Sequence, residues 1–151
     1  MDLNERVQED LKSAMKSGDA LRLGVLRLLK TRIKEARVAK REDLTDEEIY
    51  KVVMTEAKRR REAIELFEKG GRGDLAAREK QEIEILETFL PPKLSADELK
   101  AFAANAIKEA DAEDPKDLGR VMKALMPKVA GRAEGSLVSK IVRDLLAKKN
   151  D

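Results

Sequence analysis

Residues 20–41 have the sequence ALRLGVLRLLKTRIKEARVAKR, and this stretch decides the fold class. Its apolar residues recur every three to four positions, which is the period of one face of an α-helix. That face consists of Leu21, Val25, Leu28, Leu29, Ile33 and Ala36. The pattern predicts an amphipathic helix from about Ala20 to Arg41. Because an apolar stripe of this length has to be buried, the helix needs packing partners.

The composition predicts that those partners are also helices. Charged residues make up 41% of the 151 residues and aromatic residues only 3%, whereas sheets favour Val, Ile, Thr and aromatic side chains. The helical period recurs in six further segments, beginning with Leu3 to Met15. We therefore predict an all-α protein with seven helices and no strand.

Short local signals mark the predicted helix ends. Thr45-Asp46-Glu47-Glu48 and Ser95-Ala96-Asp97-Glu98 are capping boxes, in which a hydroxyl and a glutamate each accept from a backbone N–H at the helix start. Further signals are stops at Gly18 and at Gly70–Gly73, and starts at Asp74, Asp114-Pro115 and Ser136. These signals place several of the boundaries of the predicted helices.

Leu90-Pro91-Pro92-Lys93 is the predicted domain boundary. A second proline cannot donate a backbone hydrogen bond, and each proline pushes the preceding residue out of the helical region. We expect a four-helix domain over residues 1–92, a three-helix domain over residues 93–151, and a hinge at Pro91-Pro92.

The sequence lacks the residues of most self-contained catalytic sites. It has no cysteine and no histidine, which removes thiolate chemistry, the commonest general base and the commonest metal ligand. It contains no phosphate-binding glycine motif and no nucleophile elbow. We interpret acidic groups such as Glu47/Glu48 and Glu82/Glu84/Glu87 as helix surface. The aromatic residues are interpreted as core, namely Tyr50, Phe67, Phe89 and Phe102.

The charges are segregated along the chain although the net charge is only +2. Residues 20–41 contain eight basic residues and one acidic residue, a net charge of +7. Residues 116–149 contain nine basic and three acidic residues, a net charge of +6. The intervening residues 94–115 carry six acids and two lysines. Segregation of this kind is typical of a protein that binds a polyanion.

Helical spacing also aligns the positive charges. Arg27, Lys30, Lys34, Arg37 and Arg41 share one face of the second helix, opposite its apolar stripe. Such a row can follow nucleic-acid phosphates. The alternative is an ordinary solvated helix face, because Lys and Arg are good helix formers.

The loop Gly131-Arg132-Ala133-Glu134-Gly135-Ser136 has two interpretations. It could bind an anion with the free N–H groups of the following helix. It could equally be a simple connector between helices, with its glycines supplying turns. The connector is the favoured interpretation from local sequence.

Four segments resemble the YqeY family, in order and over essentially the whole chain. They are Arg22-Leu23-Gly24-Val25-Leu26-Arg27-Leu28-Leu29, Phe67-Glu68-Lys69-Gly70-Gly71-Arg72, the run Glu82 to Leu94, and the run Gly119 to Lys128. The family resemblance implies no defined activity.

The C-terminal part also resembles the tail domain of the B subunit of glutamyl/aspartyl-tRNA amidotransferase. The shared pattern is Gly119, Met122-Lys123, Gly131-x-Ala133 and the apolar helix from Val138. This likeness implies a domain that holds the elbow of tRNA, whereas the chemistry lies in the catalytic core and in another subunit. The chain has Glu134-Gly135 where the tail pattern often has Asn or Asp before Pro.

Together these features predict an accessory protein that binds tRNA or other structured RNA, without catalysis of its own, a cofactor, a metal or a membrane. Aminoacyl-tRNA or amidotransferase machinery would be its partners, and its location would be cytoplasmic and bacterial-type. The alternatives are a protein-interaction adaptor or part of a carbon–nitrogen ligase that uses glutamine as amide donor. The expected phosphate contacts are Lys123, Lys128, Gly131, Arg132, Lys140 and Arg143, with Arg27, Lys30, Lys34 and Arg37 as a second patch.

Overall fold

A computed structural model describes residues 1–149 and shows an all-helical chain. The prediction of seven α-helices is confirmed, and no strand occurs in this part of the chain. A short 3-10 helix, Pro115–Asp117, precedes the sixth helix. The α-helices are α1 (Leu3–Ser17), α2 (Ala20–Lys40), α3 (Asp46–Lys69), α4 (Gly73–Glu87), α5 (Ala96–Glu109), α6 (Leu118–Val129) and α7 (Gly135–Lys149).

Contacts between Cα atoms divide the chain into two compact units, Met1–Pro91 and a second unit that begins at Pro92. Residues 150 and 151 of the predicted second domain lie outside the described residues. The hinge at Pro91-Pro92 stays a prediction.

The first unit contains α1 to α4 around one apolar core. The apolar face of α2 supplies Val25, Leu26, Leu29 and Ile33, all of which are buried. They belong to the same cluster as buried residues of the other three helices, which include Val7, Ile49, Val53 and Leu86, and as Phe89, which follows α4. Burying a residue such as Leu or Phe contributes roughly 1.5–3 kcal/mol, so this cluster supplies the main driving force for the unit.

The second unit has its own core, formed by α5, α6 and α7. Its buried residues are Leu99, Ala103, Ala106, Ile107, Ala112, Val121, Leu125, Val129, Val138, Val142 and Leu146. Polar contacts hold its start and its last helix to the loops. The Leu94 backbone N–H donates to the Arg132 carbonyl over 3.0 Å, and Lys149 Nζ donates to the Ala112 carbonyl over 2.9 Å.

The two predicted capping boxes are present. Thr45 Oγ1 accepts from the Glu48 backbone N–H and Ser95 Oγ from that of Glu98. Each glutamate returns the contact by accepting from the N–H of its capping residue. Asp2 also caps α1 in a box with Glu5, which the sequence analysis did not single out.

Two predicted helix starts are wrong. Helix α4 begins at Gly73 after an Arg72 cap, so Asp74 lies inside its first turn, where the Arg72 side chain pairs with it. Helix α7 begins at Gly135, one position before Ser136. In both helices the predicted capping residue lies inside the first turn. The carbonyl of an earlier residue, Arg72 or Glu134, already accepts the first helical hydrogen bond.

The predicted start at Asp114-Pro115 begins the 3-10 helix and not α6. Helix α6 begins at Leu118 and continues through Pro127 to Val129. Pro127 removes the hydrogen bond to the carbonyl of Lys123, four residues earlier. Both residues are exposed, so water can replace the missing donor. This location explains why the proline does not end the helix.

Glu48 generates a prediction about pH. Its pKa is lowered to about 2, first by the hydrogen bond from Lys40 of α2 and then by the backbone N–H of Thr45. A carboxylate with a depressed pKa stabilises the fold above its unfolded pKa near 4.5, and this contribution is lost as the pH falls through about 2. We expect Glu48→Gln to be less stable than the parent at pH 7, with the difference closing towards pH 2. Urea titrations at pH 7, 4 and 2.5 measure it; a difference that does not shrink contradicts the assignment.

Candidate nucleic-acid interface

Half of the basic residues of the α2 segment are paired with acids. Arg22 lies 3.9 Å from Asp10, and Arg37 Nε lies 3.3 Å from Asp43. Arg32 contacts Glu35 and Glu56, and Lys40 contacts Glu42 and Glu48. For these four residues the positive charge predicted from sequence is partly cancelled by neighbouring carboxylates.

The other four basic residues of the segment have no acidic partner among residues 1–149. They are Arg27, Lys30, Lys34 and Arg41, which we call the α2 ridge, and all four are exposed. Arg27 and Lys34 are seven residues, or about 10.5 Å, apart along α2, and Arg41 follows the end of this helix with φ +67°. The predicted second patch therefore keeps three unpaired members. Its fourth, Arg37, has a pairing that is itself exposed and therefore weak, with side-chain exposures of 64% and 91%.

The predicted phosphate contacts of the second unit also divide into residues that have an internal partner and residues that make no ion pair. Lys128 Nζ donates to Glu109 over 2.8 Å, Arg132 Nε donates to the Pro92 carbonyl over 2.9 Å, and Arg143 donates to Ser139 Oγ. Lys123 and Lys140 are exposed and make no ion pair in the described chain. Lys123 lies opposite the buried Val121–Leu125 stripe of α6 by helical spacing. The second unit thus offers fewer unpaired charges than its sequence suggests.

The loop at Gly131 is held by the second unit itself. Gly131 is buried and has φ +74°, in the left-handed region that favours glycine. The Arg132 backbone bonds to Leu94 on one side and to Val129 on the other. These contacts support the connector interpretation, whereas anion binding by the loop stays a prediction.

A buried ion network, which the sequence patterns did not predict, connects α2, α3 and α4. Glu56 and Arg60 of α3 are only 4% and 8% exposed. Glu56 accepts from Arg59 over 3.0 Å and from Arg60 over 3.2 Å, and Arg32 Nε lies 3.3 Å away. The available signal was the spacing of Glu56 and Arg60 by four residues, which is equally common on exposed helix faces.

Helix α4 completes this network from the other side of Arg60. The Arg60 guanidinium lies 3.9 Å from Glu79 and 3.8 Å from Glu82. Burial, followed by the negative charge of Glu82, raises the pKa of Glu79. The Nε atoms of Arg32 and Arg60 make no hydrogen bond, so their contacts are ion pairs by distance only. Two buried N–H groups of the network therefore have no hydrogen-bond acceptor.

The network orients the α2 ridge. Arg32 is two residues from both Lys30 and Lys34, so it projects about 200° away from them around the helix. Because Glu56 holds Arg32 against α3, Lys30 and Lys34 are directed away from that contact. The buried ion network thus explains why part of the α2 charge is neutralised while the ridge is not.

No group of three or more potential metal ligands occurs within residues 1–149. None of the helices in that range is both long enough and apolar enough to cross a membrane. Phe89 is buried in the first core, and Tyr50 and Phe102 pack against the two cores. Arg6 lies over the Phe89 ring at 5.0 Å. Phe89, Tyr50 and Phe102 therefore agree with the core interpretation, whereas Phe67 is only half-buried and belongs to neither core cluster.

A family model described as Yqey-like protein matches residues 4–146 of the chain. The matched range includes all four segments on which the family resemblance rests. The model covers both compact units, so the similarity is not confined to one of them.

The chain is also similar to fungal proteins named "Altered inheritance of mitochondria protein 41, mitochondrial". The relative from Pyrenophora tritici-repentis is 26% identical over 95% of this chain and 81% of its own length. The relative from Candida glabrata is 32% identical over 72% of this chain and 62% of its own length. The relative from Lachancea thermotolerans is 32% identical over 76% of this chain and 63% of its own length. The chain therefore spans less than two thirds of two of these relatives.

The cytoplasmic location predicted from the sequence is contradicted by these relatives, whose names place them in mitochondria. The bacterial-type label is also unsupported, because these relatives are fungal. The error has a physical cause. Composition can exclude a membrane-spanning helix, but it does not distinguish one aqueous compartment from another.

The buried ion network generates a prediction about stability. Glu56→Ala removes the carboxylate shared by Arg32 and Arg60, so the buried Arg60 guanidinium keeps the two more distant α4 acids, Glu79 at 3.9 Å and Glu82 at 3.8 Å. We expect a loss of about 3 kcal/mol in the free energy of unfolding, the lower end for a buried ion pair that loses one partner. Glu68→Ala, which removes an exposed partner of Lys80, should cost less than about 1 kcal/mol and serves as the control. Urea denaturation followed by circular dichroism measures both, and equal losses would contradict the structural role of Glu56.

Proposed function

The chain belongs to the YqeY family, as its resemblance predicted, and on that premise we propose that it binds structured RNA, with tRNA as the first candidate. The proposal assigns no chemical reaction to the chain. Its ligand is a polyanion, and its primary contact surface is the α2 ridge.

The observation that carries the proposal is the absence of acidic partners along the α2 ridge, within residues 1–149 of a chain that has 30 acidic residues. The other four basic residues of the same segment do pair with acids, so within this segment the unpaired charges lie on one face of α2. Lys and Arg that release counterions from phosphates supply affinity that does not depend on base sequence.

The second unit contributes a further contact surface in this proposal. Lys123 and Lys140 are the predicted contacts that make no ion pair among residues 1–149, and Arg143 donates to the Ser139 hydroxyl. Lys128 and Arg132 would have to exchange Glu109 and the Pro92 carbonyl for a phosphate, so we rank them below the other three. The likeness of this unit to the amidotransferase tail domain supports tRNA as ligand and an accessory role beside that machinery.

A protein-interaction adaptor is the second candidate. It is favoured by large apolar side chains that the first unit leaves in solvent, among them Val38 at 68% exposure and Leu66 at 71%. They lie on different helices, α2 and α3, and one exposed apolar residue alone is ordinary. We therefore place the adaptor behind the RNA-binding proposal.

Filter binding with whole tRNA over 50–200 mM salt tests the proposal. The parent protein should lose affinity steeply with salt, because its contacts are mainly to phosphates. Lys30→Gln/Lys34→Gln should weaken binding and reduce the slope of log K against log salt by about 1 for each lysine removed.

The matched control is Arg72→Gln/Lys80→Gln, which removes the same net charge from exposed residues that already pair with Asp74 and Glu68. This control should bind almost as the parent does. Equal weakening of the two double variants would show a charge effect without a site, and absence of tRNA binding by the parent would refute the function.

A further inference from the structure

A groove of about 500 Å³ lies beside the α2 ridge, entirely within the first unit. It is bounded by the beginning of α1, by one side of α2 and by the connection from α2 to α3. Its size is within the range of pockets that bind small ligands. Two members of the α2 ridge, Lys30 and Lys34, form part of its lining.

Four apolar residues form part of the lining of the groove. Ile33 and Ile49 are core residues with little exposed surface, and Leu44 is half-buried. Val38, one of the most exposed large apolar residues of the chain, stands at the same groove. An occupant with a flat, weakly polar body would cover this surface and remove Val38 from water.

The α1 wall presents two side-chain amides. Asn4 and Gln8 are one helical turn apart, line the groove, and make no side-chain hydrogen bond within residues 1–149. An amide offers a donor and an acceptor side by side, which is the pattern that Asn and Gln use to recognise the edge of a base. Their position opposite apolar residues suits a ring that is polar only at its rim.

The charges at the groove favour an anionic group outside its interior. Both acids of the lining are engaged: Asp2 accepts from the Glu5 backbone N–H over 2.8 Å, and Asp43 pairs with Arg37. Lys30 and Lys34 have no such partner. The groove thus combines an apolar patch at Leu44 and Val38 with two amides and two ammonium groups that have no ion-pair or hydrogen-bond partner among residues 1–149.

We propose that this groove binds one unpaired nucleotide of the RNA, with the base against Ile33, Leu44 and Val38 and its edge at Asn4 and Gln8. Lys30 and Lys34 then contact the adjoining phosphates. This inference rests on the proposed function and specifies its substrate class as a duplex that carries an unstacked nucleotide. Such nucleotides are the usual sites of specific RNA recognition, since bases inside an A-form helix are difficult to reach.

The test compares two RNA hairpins that differ only in one bulged adenosine, titrated by fluorescence anisotropy in the same salt. The parent should bind the bulged hairpin at least about fivefold more tightly, the lower end of discrimination by a good amide–base contact. Asn4→Ala/Gln8→Ala should bind both hairpins with the affinity that the parent shows for the uninterrupted one. The salt slope should stay that of the parent, because the α2 ridge is intact.

The matched control is Gln81→Ala/Asn105→Ala, which removes the same two side-chain types from exposed positions on α4 and α5. This control should keep the preference for the bulge. Circular dichroism checks that both double variants are folded, which is expected because all four positions are exposed.

The outcomes separate the inference from the proposed function. If the parent binds both hairpins equally, or if Asn4→Ala/Gln8→Ala keeps the preference, the groove inference is overturned while RNA binding stands. If the control variant loses the preference as well, the groove assignment is also overturned. If neither hairpin binds, the proposed function fails and the inference fails with it.

Discussion

Glu56 is a carboxylate buried among three helices, and the arrangement of the first unit depends on its charge being balanced. Three arginines lie within ion-pair distance of it, one from α2 and two from α3, and one of these extends the network to α4. A buried charge without a partner is far more costly than an exposed one. The helices are therefore constrained in rotation as well as in distance, which an apolar core alone specifies less strictly.

That constraint has a consequence for the surface. Arg32 pairs with Glu56 on the side of α2 that meets α3. The positive charges without an acidic partner therefore lie on the opposite side of α2. Arg22, Arg37 and Lys40 are then partly neutralised by acids brought near them by α1 and by the connection to α3. The α2 ridge is what is left after this pairing. Its charge, together with the adjacent groove, makes the first unit a better candidate for polyanion binding than the loop at Gly131.

Membership of the YqeY family is compatible with a contact surface in the first unit, since the family match spans both units. The names of the fungal relatives state a mitochondrial location and an inheritance phenotype for those proteins, and they specify no ligand. The physical case for RNA therefore rests on charge and groove chemistry. The same evidence favours the first unit over the second as the primary RNA contact, because Lys128 and Arg132 of the second unit are held by internal partners.

The sequence by itself determined the seven helices, most of their limits and the two apolar cores, because periodicity and capping act over distances of three or four residues. It also determined that positive charge is concentrated in α2. Only the tertiary structure decided which of those charges are neutralised, because Asp10, Asp43 and Glu56 come from other parts of the chain. The same holds for the groove, whose amides and lysines belong to different helices. Local patterns place a side chain on a helix face, whereas its ion-pair partners depend on how the helices pack.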